Sequence, residues 1–154
     1  MRLFLLALCL AAAALPAEAP GGSEHWSSAR LQDFAQSLSP KMNAQKIATQ
    51  ALGSYGNHSF LIAHREGDGE AELHETQNDV MVVESGEATL VVGGTVVNPR
   101  TTAPHEVRGP SIRGGEHISL AAGDVVHVPV KVPHQMLVAN GKQITYFVVK
   151  IDAR

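Results

Sequence analysis

The sequence predicts an all-β fold, an antiparallel β-barrel or sandwich preceded by one short helix. Three observations support this prediction. From about residue 46 onward, short β-branched or alternating runs follow one another, as is typical of strands. Glycine-containing turns such as Asn140-Gly141 separate these runs. The runs are not separated by helical crossover segments, so we expect neighbouring strands to pair antiparallel.

Residues 1–17 are predicted to be a signal peptide that takes no part in the fold. Arg2 supplies a positive charge, and the apolar run 3–15 has the length of a signal-peptide hydrophobic region. This run is shorter than the roughly 20 apolar residues that a membrane-spanning helix needs. We expect cleavage after Ala17, a secreted or periplasmic protein, and no membrane association once the signal is removed. An uncleaved amino-terminal anchor is the alternative.

Charge and cysteine content argue against several classes of function. The net charge is −3 and there is no basic run, so the sequence does not favour nucleic-acid binding through phosphate contacts. Cys9 is the only cysteine, and it lies inside the predicted signal. The processed protein would therefore have no disulfide, no catalytic thiol and no thiolate metal ligand. A metal site would have to use nitrogen and oxygen ligands.

Residues 18–45 are predicted to form an N-terminal extension with one short helix. Ser27 or Ser28 caps this helix, because a serine oxygen accepts hydrogen bonds from the free amides of the first turn. Three apolar residues then recur on one face at helical spacing, namely Leu31, Phe34 and Leu38. Ser39-Pro40 ends the helix. We expect the helix to pack on the barrel and to have no chemical role.

Residues 46–154 are predicted to form the barrel domain. The candidate strands are 46–52, 58–65, 70–75, 79–85, 87–92, 95–97, 117–120, 125–128, 135–139 and 143–151. A long polar segment, 98–116, interrupts this rhythm. Segments of this length in compact domains are usually lids, binding loops or disordered loops.

Four residues in the predicted strands are candidate metal ligands. Glu72 and His74 are two apart in one strand, so they face the same side of the sheet. Asp79 opens the next strand, and His134 lies near the start of a later one. Carboxylates and imidazoles are the usual nitrogen and oxygen ligands of divalent transition metals. The same alternation is also typical of a half-buried strand with one solvated face, so the residues alone leave both interpretations open.

Two segments resemble the motifs of the cupin superfamily. The first runs from Gly123 to His134 and reads GDVVHVPVKVPH: a glycine, five residues, a proline, and then a histidine that binds the metal in cupins. The second runs from His74 to Gly86 and reads as a histidine, four residues, an acid, six residues and a glycine. Asp79 holds the acid position. The resemblance covers roughly residues 58–150.

This resemblance implies a double-stranded antiparallel β-barrel, or jelly roll, with one divalent metal ion inside. The implied ligands are Glu72, His74, Asp79 and His134. Glu72 stands where the motif usually has its first histidine, Asp79 replaces a glutamate, and Lys131 occupies a position that is often glycine. Two carboxylates with two imidazoles favour Fe, Mn or Zn, although the change at Glu72 is also compatible with loss of the metal.

Two functions from different classes follow from these observations. The first is a metal-dependent enzyme that acts on a small oxygenated molecule, with the reaction class (oxidoreductase, lyase or isomerase) left open. Glu72 and His127 are its candidate acid–base groups. The second is a noncatalytic barrel that binds a small ligand outside the cytoplasm, with three arginines of the polar segment at the rim, namely Arg100, Arg108 and Arg113.

Cupins often form homodimers through an outer sheet. The apolar residues 80–83 and the valine-rich end 147–151 are candidates for such a surface.

Overall fold

The computed structural model describes residues 22–153, so the predicted signal peptide, 1–17, lies outside the described residues. Within them the chain forms one α-helix, one 3-10 turn and twelve β-strands. All strand pairings in this part of the chain are antiparallel, which confirms the predicted fold class. The single α-helix among these residues falls short of the length and apolar character that a bilayer crossing requires.

The predicted short helix is present near the start of the described residues. Helix α1 spans Ser28–Leu38, and the hydroxyl oxygen of Ser27 accepts a hydrogen bond from the amide of Arg30 at 3.3 Å. The 3-10 turn Ser39–Lys41 follows it. The strands are β1 (Ile47–Tyr55), β2 (His58–Arg65), β3 (Ala71–His74), β4 (Gln77–Val92), β5 (Thr95–Val96), β6 (Arg100–Ala103), β7 (Glu106–Gly109), β8 (Ile112–Arg113), β9 (Glu116–Ala121), β10 (Val125–Val128), β11 (His134–Leu137) and β12 (Ile144–Asp152).

The strands form two layers that share one long strand, β4. Its first half pairs with β10 and β12, and β12 continues the layer to β2 and β1. Its second half pairs with β9 and β11, beyond which lie β3, β7 and β6. Apolar side chains from both layers meet in one core, which includes Met81, Leu90, Val128 and Met136. The chain thus has the predicted cupin-like jelly-roll architecture.

Strand β4 corrects one detail of the sequence analysis. The sequence predicts separate strands over 79–85 and 87–92, but the structure has one strand of 16 residues. Gly86 inside it has φ +81°, and a Cβ there would lie 2.0 Å from the backbone oxygen of Gln143. The register with β12 also shifts by one residue just before this glycine. A bulge and a glycine therefore bend the strand from one layer into the other without ending it.

The polar segment 98–116 is also more ordered than its composition predicts. β6 and β7 form a hairpin, and β7 pairs with β3 so that Glu72 lies opposite Arg108 and His74 opposite Glu106. Strand β8 pairs with β5. Charged residues in these short strands mask the usual apolar alternation. The hairpin thus places the side chains of Glu106 and Arg108 next to the predicted ligands His74 and Glu72.

The N-terminal extension covers the outer face of the layer that contains β1, β2 and β12. Leu38 of α1 packs with Ala48 and Ile62 in a second core cluster. The ring of Trp26 lies 5.3 Å from that of Phe60 and 5.7 Å from that of Phe147, measured between centroids. The helix therefore packs on the barrel as expected. Part of the face proposed for a homodimer is covered by the chain's own residues, and the dimer stays a prediction.

Candidate metal centre

A cavity of about 580 Å³ opens into the barrel. Its volume falls within the range of roughly 300–1,000 Å³ that is usual for small-molecule sites. Strands β1, β2, β3, β4, β7 and β12 contribute to its walls. The ionisable residues that line it are Arg65, Asp68, Glu70, Glu72, His74, Asp79, Glu106, Arg108, Tyr146 and Lys150.

Three of the four predicted ligands converge beside this cavity. Glu72 and His74 both line it, as expected for residues two apart on one strand. His134, the first residue of β11, pairs with Glu72 across the sheet and lines an adjoining cavity of about 30 Å³. One potential ligand atom from each of these residues lies within 4.8 Å of the other two.

Asp79, the fourth predicted ligand, is buried beside both imidazole rings. Its Oδ2 lies 3.2 Å from Nε2 of His74 and 3.6 Å from Nε2 of His134. Oε2 of Glu72 lies 3.7 Å and 4.0 Å from the same two nitrogens. Ligand atoms about 2.1 Å from one metal ion are separated by about 3.0 to 3.4 Å from their neighbours. Glu72, His74 and His134 therefore have the spacing of a shared cation site, slightly expanded, whereas Asp79 lies beside the two imidazoles and outside that group of three.

The second nitrogen of each imidazole ring has a partner outside the cluster. Nδ1 of His74 bonds to the carboxylate of Glu106. Nδ1 of His134 lies 3.3 Å from the backbone oxygen of Val132. Such partners hold a proton on Nδ1, so that Nε2, once deprotonated, directs its lone pair inward, which is the usual arrangement of metal-bound histidines. The donor set fits the divalent Fe, Mn or Zn that the sequence predicts.

Lys150 adds a positive charge that the sequence analysis missed. Its Nζ lies 3.0 Å and 3.2 Å from the two carboxylate oxygens of Asp79 and donates to them. The same nitrogen lies 3.0 Å from Nε2 of His74. Lys150 thus neutralises an aspartate whose side chain is only 3% exposed. Because like charges repel, a metal ion at this position must compete with the ammonium group or displace it.

The carboxylates around His74 favour positive charge at the centre of the cluster. Burial opposes its protonation, but hydrogen bonds to Asp79 and Glu106 outweigh burial and raise the pKa of His74 to about 9. Burial likewise opposes ionisation of Asp79, yet the hydrogen bond from His74 and the charge of Lys150 hold its pKa below the ordinary value. Burial lowers the pKa of His134, which stays neutral near pH 7. The cluster is therefore built to attract a cation.

Arg108 fixes two of the surrounding carboxylates. It donates to Oε1 of Glu72 at 2.8 Å and to Oε1 of Glu106 at 2.6 Å. Since Glu106 also bonds to His74, one guanidinium orients a predicted ligand and the partner of another. The sequence predicts Arg108 at the rim of a barrel that binds a small ligand. The structure instead engages it with the protein's own carboxylates.

The structure does not bring the remaining candidates to the cavity. His127 is exposed on β10, and its neighbours Val126 and Val128 pack against the core. This candidate acid–base group therefore faces solvent, because alternation along the strand turns it outward. Arg100 and Arg113 are exposed and do not line the cavity, so the predicted ring of three rim arginines is not formed.

Two further cavity residues, Arg65 and Tyr146, were not predicted. Nε of Arg65 donates to the hydroxyl oxygen of Tyr146 at 3.1 Å. Burial raises the pKa of Tyr146, so the hydroxyl stays protonated at neutral pH. The sequence did contain a sign of these inward-facing polar residues. Arg65 lies two residues after Ala63 and Lys150 two residues after Val148, so each continues an inward apolar face with a charged side chain.

No protein-family model and no curated protein matches the sequence. Solved structures match the fold. A protein of Thermus thermophilus gives a TM-score of 0.53 and 18% identity, over 73% of this chain and 89% of that one. A Ralstonia eutropha JMP134 protein, provisionally named a mannose-6-phosphate isomerase, gives a TM-score of 0.51 and 18% identity. The match covers 73% of this chain and 90% of that one.

The DMSP lyase DddQ of Ruegeria pomeroyi DSS-3 is a third structural neighbour. Its TM-score is 0.50 and its identity 14%, over 69% of this chain. The present chain spans about half of that lyase, 47% of its length. At such identities the likeness shows a shared fold alone, and that fold is cupin-like.

Replacing Lys150 by methionine removes the ammonium group but keeps an unbranched side chain. We expect Lys150→Met to bind Zn²⁺ or Mn²⁺ about tenfold more tightly or better, because the metal no longer competes with a cation for Asp79 and His74. Competition titration against a metal-chelating dye measures the affinity. Lys142→Met, which removes an exposed lysine paired with Glu87, is the matched control. An unchanged or lower affinity in Lys150→Met would show that the two cations do not compete.

Proposed function

We propose that this protein is an exported, metal-dependent enzyme that acts on a small oxygenated molecule. The observation that carries the proposal is the convergence of Glu72, His74 and His134 beside a cavity of about 580 Å³. Two histidines and one carboxylate with open coordination positions are the donor set of many iron enzymes, and they also suit Mn or Zn. A divalent metal held by these residues would supply Lewis acidity to a bound oxygen atom.

The neighbouring side chains support this proposal. Glu106 and the backbone oxygen of Val132 fix the rings of His74 and His134, as expected of partners behind metal ligands. Lys150 places a hydrogen-bond donor in the cavity, next to the ligand cluster. The names of two structural neighbours, a lyase and a provisional isomerase, refer to reactions of small molecules. They support a small-molecule substrate without selecting a reaction.

A noncatalytic barrel that binds a small ligand outside the cytoplasm is the second candidate. One observation favours it: the carboxylates of the cluster already have cationic partners. Glu72 and Glu106 are bound by Arg108, and Asp79 is bound by Lys150. A carboxylate held in this way is a weak general base, since its lone pairs are occupied by hydrogen bonds. Stoichiometric ligand binding with no turnover, in metal-loaded protein, would favour this candidate over the enzyme.

Elemental analysis tests the metal centre. We expect about one equivalent of Fe, Mn or Zn in the purified protein, and a loss of more than about nine-tenths of it when His74 and His134 are both changed to alanine. The same analysis of His117→Ala, which removes an exposed histidine, serves as the control and is expected to match the wild type. Wild-type protein that stays metal-free after reconstitution with each of these ions would refute the metal-dependent enzyme.

Export is tested separately, at the amino terminus. If residues 1–17 are a cleaved signal, protein recovered from the periplasm or medium of an exporting bacterium begins at Glu18. Leu6→Arg places a charge in the apolar run and is expected to retain the protein in the cytoplasm with its leader uncut. Full-length wild-type protein found only in the cytoplasm would contradict export, whatever the metal content.

A further inference from the structure

Arg65 is a buried cation whose principal hydrogen-bonding groups are unused. Its side chain is 8% exposed, and its Nε donates to Tyr146. Within the described part of the chain, the two terminal nitrogens, Nη1 and Nη2, have no hydrogen-bond partner. A buried guanidinium without a bonded anion is costly, so such an arrangement points to a partner from outside the protein.

The nearest carboxylate does not meet this need. Oε1 of Glu72 lies 3.8 Å from Nη2 of Arg65, beyond hydrogen-bond distance. The same oxygen already accepts a hydrogen bond from Arg108 at 2.8 Å. Arg65 therefore does not act mainly as the counter-charge of Glu72, because Arg108 has that role.

The free nitrogens of Arg65 reach open space. The side chain lines both the main cavity and the small adjoining one next to His134. Among the described residues the structure leaves no fully buried side-chain nitrogen or oxygen without a partner, so neither terminal nitrogen is sealed off. The guanidinium therefore presents two parallel donors to a molecule in the cavity, close to the predicted ligand Glu72.

Gly69 shapes this arrangement. A Cβ at this position would lie 2.8 Å from Nη1 and 3.0 Å from Nη2 of Arg65, closer than such contacts occur. Its φ lies outside the left-handed region, so alanine fits the backbone there. The glycine gives the guanidinium its place, and a single methyl group would displace it without removing its charge.

We infer that the cavity binds a small molecule through a carboxylate group, with Arg65 as the bidentate anchor. A planar guanidinium with two free donors matches the two oxygens of a carboxylate, and this geometry is specific to arginine. The hydroxyl of Tyr146, bonded to Nε, lies beside the same position and is available as a further donor. This inference rests on the proposed function for its context, since it names the substrate class of that site.

A titration of matched ligands tests the anchor. Acetate, glycolate and malonate are compared with acetamide, glycolamide and malonamide, which have nearly the same shape without the charge. Binding is followed by NMR through the amide of Gly69, which lies beside Arg65, in metal-loaded and in chelator-treated protein. We expect each acid to bind at least about tenfold more tightly than its amide.

Two variants locate the binding energy. Arg65→Lys keeps the charge but loses the paired donors, and Gly69→Ala shifts the guanidinium. Each is expected to weaken acid binding about tenfold or more, while Arg113→Lys, at an exposed arginine, changes nothing. If Arg65→Lys does not fold, Gly69→Ala alone tests whether the guanidinium of Arg65 anchors the acid.

Equal affinity for acids and amides, or wild-type affinity in Gly69→Ala, would overturn the inference. Preference for inorganic phosphate over all three acids would overturn it as well. Failure of the proposed function looks different: if the protein takes up no metal on reconstitution but still binds acids through Arg65, the anchor holds and the metal-dependent enzyme is refuted. If metal-loaded protein binds acids equally well with and without Arg65, the anchor is refuted and the metal-dependent enzyme stands.

Discussion

The interior of this barrel is organised by the need to balance buried negative charge. Glu72, Asp79 and Glu106 surround His74, and an unpaired carboxylate in such a place costs several kcal/mol. Arg108 and Lys150 provide part of the compensation, and the raised pKa of His74 shows that the cluster still attracts positive charge. A site that binds a proton and an ammonium group so readily has the electrostatics of a metal site. The cluster also differs from a plain set of metal ligands, because the ammonium group of Lys150 is bound to one of its carboxylates, Asp79.

The long strand β4 makes this cluster possible. It carries Asp79 in one layer, passes Gly86, and pairs in the other layer with β11, which carries His134. Strand β3 lies beyond β11 and presents Glu72 and His74 to the same space. Residues far apart in sequence thus meet between the two layers, away from the bend at Gly86. Because the rigid sheet positions every ligand, the site does not depend on flexible loops.

The sequence was sufficient to predict the fold class and the grouping of three candidate ligands, Glu72, His74 and His134. Motif spacing and strand alternation are local patterns, and they place Glu72 and His74 on one face without knowledge of tertiary structure. The contributions of Arg65 and Lys150 were missed, because each lies at the end of an apolar strand whose inward face only the folded sheet defines. His127 was a candidate acid–base group, and the structure turns it to solvent, because alternation along β10 sets the direction of its side chain.

X-ray absorption spectroscopy of the metal-loaded protein shows whether His74 and His134 bind the metal ion. We expect two imidazole scatterers with oxygen ligands at about 2.0 to 2.2 Å, and one imidazole fewer in His134→Ala. A coordination shell made only of oxygen atoms, or a wild-type spectrum that His134→Ala leaves unchanged, would contradict the metal centre. Either result would place any bound metal outside the cluster and leave the barrel as a pocket for a small acid.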